Sequence, residues 1–152
     1  MPDGKEDDKR MLSQALPVSE AKAKFSELVK LAGLGLEVVS ANKHGHAPPV
    51  SLVKTEILAA ALAAMEIPSI ETRDDELGVT TIALEDLPVY GEGTTRAVAI
   101  ESLVDAVLDY TAVYKEKIEL FSKIDTPVQQ GRMLKLMRCG GDRDAIKRAI
   151  GV

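Results

Sequence analysis

Apolar and polar positions change rhythm several times along the chain. Phe25, Leu28, Val29 and Ala32 recur at the spacing of one helical face. Ser19 is placed to cap this helix, Glu20 suits its positive end, and Gly33 and Gly35 stop it. "LEVVSA" then reads as a strand, "NKHGH" as a turn whose Asn42 and Gly45 tolerate positive φ, and "PVSLV" as the returning strand. Thr55 caps a second helix, "EILAAALAAM", which is apolar nearly all round. A two-stranded hairpin is marginal in water, and such a helix needs cover on both faces. A second copy of the unit would supply that cover, and so would the C-terminal half of the chain.

The polar stretch "IPSIETRDDELG" reads as a connector, and "VTTIALEDLPVYGEG" as one or two strands. Thr94 or Thr95 caps a long helix. Its apolar stripe is Ile100, Leu103, Val104, Val107, Leu108, Tyr114, Ile118 and Phe121, with Glu101, Asp105, Asp109 and Glu116 off it. "TPVQQGRMLKLMRC" suggests a basic helix, and Asp142 caps a last one, "RDAIKRAI". The expected class is α+β. A disordered tail (1–15) precedes a helix–hairpin–helix unit (16–65), a linker (66–78) and an α+β extension (79–152) with a long amphipathic helix.

Composition narrows the functions. At 152 residues with 45% hydrophobic content, one ordinary domain or two small ones fit. A single cysteine, Cys139, rules out an internal disulfide and suits a reducing cytoplasm. The opening "MPDGKEDDKR" lacks the apolar core of a signal peptide, and the longest apolar run has nine residues, against the ~20 of a membrane helix. No Trp and five Phe plus Tyr leave little for base stacking. Residues 66–125 carry net charge −9 and 126–152 carry +4, within a chain of net −5. Such a middle suits a solvated surface or a basic partner.

Against that acidic background, Lys22 and Lys24 flank the apolar face of the first helix, and Lys43 and His44 sit at the hairpin tip. A helix N-terminus favours phosphate, and Ser19 with Lys22 would extend such a site. Ordinary exposed lysines would look the same. The catalytic signals are weak. His44 and His46 lack a third ligand, Asp74, Asp75 and Glu76 form an acidic loop cluster, and neither glycine pair completes a nucleotide loop. Arg138 beside Cys139 could lower its pKa, although a free structural thiol is the simpler assignment. No enzyme activity and no cofactor are expected.

Ser19-Glu20-Ala21-Lys22, Phe25-Ser26-Glu27-Leu28 and Lys43-His44-Gly45, in this order and spacing, resemble the Phd/YefM family of bacterial antitoxins over residues 16–65. The resemblance implies a homodimer that neutralises a toxin and represses its own operon by binding operator DNA. It places DNA contacts at Lys22 and Lys43, with Ser19, Lys24, Asn42 and His44 beside them. Lysine stands where the family has arginine at position 22, which keeps phosphate attraction but weakens guanine reading. The proline-rich "GHAPPV" delays the second strand. Gly91 to Leu103 is similar to the strand–helix element of HicB-like antitoxins and to the extension of some long Phd-like proteins. The patterned extension offers a preformed surface for a toxin, possible partners being basic proteins of the RelE-like class. Two alternatives stay open: a protein-interaction module that has lost DNA binding, and a ligand- or metal-binding regulator using the histidine turn.

Overall fold

The computed structural model describes residues 15–42 and 45–152. The expected contacts at Lys43 and His44, and all but the last residue of the expected tail, lie outside the described residues. Among those described the chain is α+β, with seven helices and two three-stranded sheets. It divides between Ala60 and Ala61 into two compact units.

The first unit begins with β1 (Leu16–Pro17), then α1 (Val18–Ala23), α2 (Phe25–Gly33), β2 (Val38–Ala41), β3 (Val50–Leu52) and the start of α3 (Thr55–Ala64). The single expected helix is two. Lys24, at φ −110° and ψ 17°, ends α1 and starts α2. Nor does Ser19 cap it: the cap position is Pro17, and no side chain bonds to the first turn. Pro17 already has the φ of −56° that leads into a helix, so Ser19 falls inside α1. Thr55 likewise lies inside α3, where the Lys54 carbonyl accepts the first N–H groups, from Ile57 at 3.0 Å and Leu58 at 3.2 Å. β2 and β3 pair antiparallel from Val38↔Leu52 to Ser40↔Val50. Pro48 and Pro49 stay outside the ladder, so the second strand does start late. β1 adds in parallel to the other side of β2, with Leu16 opposite Ser40 and Pro17 opposite Ala41.

The second unit holds the larger core. β4 (Ser69–Asp74), β5 (Val79–Leu84) and β6 (Tyr90–Gly93) form an antiparallel sheet in that order. Nearly half of the expected linker over 66–78 is therefore strand: all six residues of β4 pair with β5. β4 is an exposed edge strand, so its sequence lacks the alternation of a half-buried one. Asp74 then turns the chain, its carboxylate accepting the N–H groups of Glu76 and Leu77.

β5 alternates fully, with Thr80, Ile82 and Leu84 buried beneath α4 (Arg96–Glu116). Thr95 caps α4 by accepting the Val98 N–H. Ala99, Leu103 and Val104 are completely buried. The approach of α4 to β6 is set by glycine. A Cβ at Gly91 would fall on the backbone of Leu103 and Ala99, and one at Gly93 on Ala99 and Val98.

The expected long helix also breaks. Lys117, at φ −108° and ψ 29°, separates α4 from α5 (Ile118–Ile124). Ile118 consequently leaves the core and is half exposed. Phe121 turns back to stack on Tyr114, with ring centroids 4.6 Å apart, and meets Tyr110 edge-on. Burial, with Asp125 next, pushes the Tyr114 hydroxyl up to about 12.

α6 (Pro127–Met137) opens with a complete capping box between Thr126 and Gln129. It clamps two turns of chain. Arg132 donates to the Glu66 carbonyl and pairs with Asp86, Gln129 donates to the Asp86 carbonyl, and Lys135 donates to Ala63 and Met65 at the end of α3. Asp86 has φ 61°, the only positive value outside glycine among the described residues. These bonds hold that turn. α7 (Arg143–Ile150), capped by Asp142, returns to α4. Arg143 reaches Glu101 and Asp105 at 2.6 Å each, and Lys147 also pairs with Glu101.

Gly91→Ala should therefore destabilise the chain by about 3 kcal/mol, because backbone rather than a flexible side chain must move. Gly33→Ala, which meets open space, should be neutral or slightly stabilising. Denaturant unfolding followed by circular dichroism compares them. The bonds from Lys147 and Arg143 hold the Glu101 carboxyl below its ordinary 4.5. A depressed folded value gives stability that is present above the unfolded pKa and lost as pH falls through the folded one. Glu101→Gln should flatten the acid limb of a stability–pH curve below about 4.5 and leave its neutral limb parallel to wild type.

Candidate DNA-binding and partner-binding surfaces

The residues expected at DNA come from two ends of the first unit, 18 or more positions apart. The parallel pairing of β1 with β2 brings these ends together. Pro17, just before α1, lies opposite Ala41, just before Asn42. The Ser40 hydroxyl ties the two by donating to the Leu16 carbonyl at 3.2 Å. The start of α1 and the exit of β2 thus share one edge of the sheet. Ser19, Lys22, Lys24 and Asn42 are all exposed.

Two details differ from the expected phosphate grip. α1 has only six residues and no side-chain cap, so its N-terminal dipole is small. Lys24 is engaged by Glu20, Nζ to Oε1 3.2 Å, one helical turn back. Lys22 has no such partner among the described residues. No sequence signal announces β1, since two residues of strand carry no periodicity.

The same unit leaves much apolar surface in water. Leu28, Ala32 and Val38 are buried, but Phe25 is 56% exposed, Leu34 83%, Leu36 59% and Ile57 46%. Val29, Leu52 and Val53 line a shallow depression of about 320 Å³. Half of the expected core face of α2 therefore has no cover in one copy of the unit.

In the second unit part of the acidic segment is committed to ion pairs within the chain. Glu71 binds Arg96, Asp86 binds Arg132, and Glu101 and Asp105 bind the cations of α7. Burial first, and Asp142 next, push the Cys139 thiol up rather than down, so Arg138 does not activate it. Among the described residues no group of three or more His, Cys, Asp and Glu is placed to hold a metal. No helix there is long and apolar enough to cross a membrane.

These two small α+β units offer binding surfaces, one apolar and lysine-edged, the other acidic. Residues 11–150 match the PHD-like family model described as antitoxin of toxin–antitoxin, RelE/RelB, TA system. The chain belongs to this Phd/YefM-type antitoxin family, and membership makes it a regulatory binding protein rather than an enzyme. A solved structure from Syntrophomonas wolfei subsp. wolfei, described as an antitoxin part of a proposed toxin/antitoxin system, is similar with a TM-score of 0.65 at 16% identity. The similarity covers 90% of this chain and 95% of that one, and it bears on the fold alone. No curated protein matches.

Proposed function

We propose that this antitoxin works as a homodimer that neutralises a toxin protein and represses its own operon by binding operator DNA. The observation that carries the DNA half is the β1–β2 register. It sets the start of α1 beside the exit of β2, which supports a contact formed by exposed Ser19 and Asn42 at one edge of the unit, with Lys22 further along α1. In a dimer this edge occurs twice, as a palindromic operator requires. Lys43 and His44 follow Asn42 directly in the chain and belong to the same proposed contact. With the helix end weak, the work falls on side-chain charge, and binding depends on salt.

Dimerisation through residues 16–65 follows from the exposed apolar side chains, since burying Phe25, Leu34, Leu36 and Ile57 against their copies removes the largest unpartnered surface of this unit. The extension is the proposed toxin-binding part, and its partner a basic, RelE-like protein. Its carboxylates that pair with no cation, Glu85 and Glu92 among them, provide the attraction. One observation favours a second reading, a protein-interaction module without DNA: the Glu20–Lys24 pair neutralises one of the cations offered.

Phe25→Glu should convert a dimer to a monomer in sedimentation equilibrium while leaving the helical circular dichroism signal unchanged, because this side chain is already half in water. Lys22→Gln removes two phosphate contacts per dimer. The slope of log K against log salt on the DNA upstream of its own gene should become shallower by about 2. Wild-type protein that does not bind this DNA, yet rescues cells from the product of the neighbouring gene, would establish the second reading instead.

A further inference from the structure

The outer edge of β4 is an open strand whose charges are arranged to match a second copy of itself. The hydrogen bond from Glu85 N–H to the Pro68 carbonyl, with Ser69 opposite Leu84, fixes which residues of β4 turn their main chain toward β5. They are Ile70, Thr72 and Asp74. The N–H and C=O groups of Ser69, Glu71 and Arg73 therefore point outward. The strand has no proline and no bulge through six consecutive pairs, and every residue of it is exposed. Of the usual ways of blunting an edge, the strand carries only charge, at Glu71, Arg73 and Asp74.

From this edge we infer that β4 pairs antiparallel with β4 of a second chain about an axis through Thr72, joining two three-stranded sheets into one of six. Only outward-facing residues can exchange hydrogen bonds, so the register can shift only in steps that keep them opposed. An axis at Glu71 or Arg73 sets like charges face to face. The axis at Thr72 sets Glu71 opposite Arg73 of the other chain, twice. Bonds within the chain use Arg73 Nε and Nη1, to Asp75 and Thr80, and Glu71 Oε2, to Arg96. Both side chains are thereby held on one face, with Arg73 Nη2 and Glu71 Oε1 left for the neighbour. Ile70, 52% exposed, lies diagonal to Thr72 of the second chain and gains cover. An unlike strand would have to bring a matching pattern, whereas this chain carries its own.

Residues on the axis meet their own copies, and this makes the test specific. In the full chain with Cys139→Ser, single Thr72→Cys should form a disulfide-linked dimer under mild oxidation about tenfold faster than Ile70→Cys or Asp74→Cys, because pairing raises the local thiol concentration. Equal rates at the three positions, or no linkage, would overturn the pairing. On the Thr72→Cys background, Glu71→Arg should slow linkage and adding Arg73→Glu should restore it. A rate indifferent to both charges would overturn the register. If the thiol variant fails to fold, light scattering on the same two charge variants without it reads dimer loss and recovery directly. The neighbouring gene's product, added in excess, should leave linkage unchanged; blocking it would assign the edge to a strand of that protein instead. Phe25→Glu separates this contact from the one proposed for residues 16–65, since it abolishes the latter and should spare the cross-link.

Discussion

The second unit depends on how closely α4 can lie against β6. Strand and helix surfaces normally hold their backbones apart by the thickness of a side chain. Here two glycines on one face of the strand, Gly91 and Gly93, remove that layer. Ala99 supplies the small side chain opposite and is completely buried. The approach also lets the Ser102 hydroxyl accept the Glu92 N–H at 3.2 Å, which satisfies a donor on an otherwise open edge. Once α4 is seated, the rest has a floor to build on. Ile82 and Leu84 fill its underside, α7 is drawn to its outer face by Glu101 and Asp105, and Phe121 returns to its far end. One missing layer of atoms thus sets the position of all these elements.

Part of the charge in this unit is spent within the chain. The sequence shows an acidic middle followed by a basic end, an asymmetry that suggests a partner. In the structure the basic end is itself a partner: Arg132, Arg143 and Lys147 of α6 and α7 all bind carboxylates from 66–125. Their carboxylates stay exposed, so the pairs are worth little singly, and their value lies in fixing where the last two helices dock. The acidity left for a toxin is accordingly less than the count along the chain implies. It resides in the carboxylates that no arginine or lysine reaches.

What the sequence made legible is the content of long, capped, periodic elements. Thr95 and Asp142 mark their helices, and the β-branched start of β5 marks it as a strand. Illegible were features decided by distant residues or by an edge. β1 exists only because β2 lies beside it. β4 lacks alternation because it is an edge strand exposed on both faces. Two helices break at Lys24 and Lys117, and lysine is a good helix former that signals no break; after Lys117 the turn brings Phe121 onto Tyr114. The proposed DNA residues were chosen by type and spacing, and the closeness of the start of α1 to the exit of β2 was invisible without the β1–β2 pairing. The partner of Lys24, by contrast, could be read from Glu20 four positions earlier.

The two units make unlike demands on a second copy. The first leaves apolar area in water, and its gain on association grows with the area covered and needs no fixed register. The second has filled its core and offers instead an ordered row of donors and acceptors. Each bond made there replaces one to water, so it contributes about 1 kcal/mol at most, but only in one alignment. A weak, aligned contact and a stronger, tolerant one are complementary if one pair of chains makes both, because the first contact raises the effective concentration for the second. If geometry forbids this, each protomer would touch two others, and two different two-fold contacts close into a tetramer only where their axes meet, running on as an open chain otherwise. The opposite charges at 71 and 73 then matter in another way. They restrict pairing at the edge to one register and one partner, which keeps an unprotected strand from collecting others.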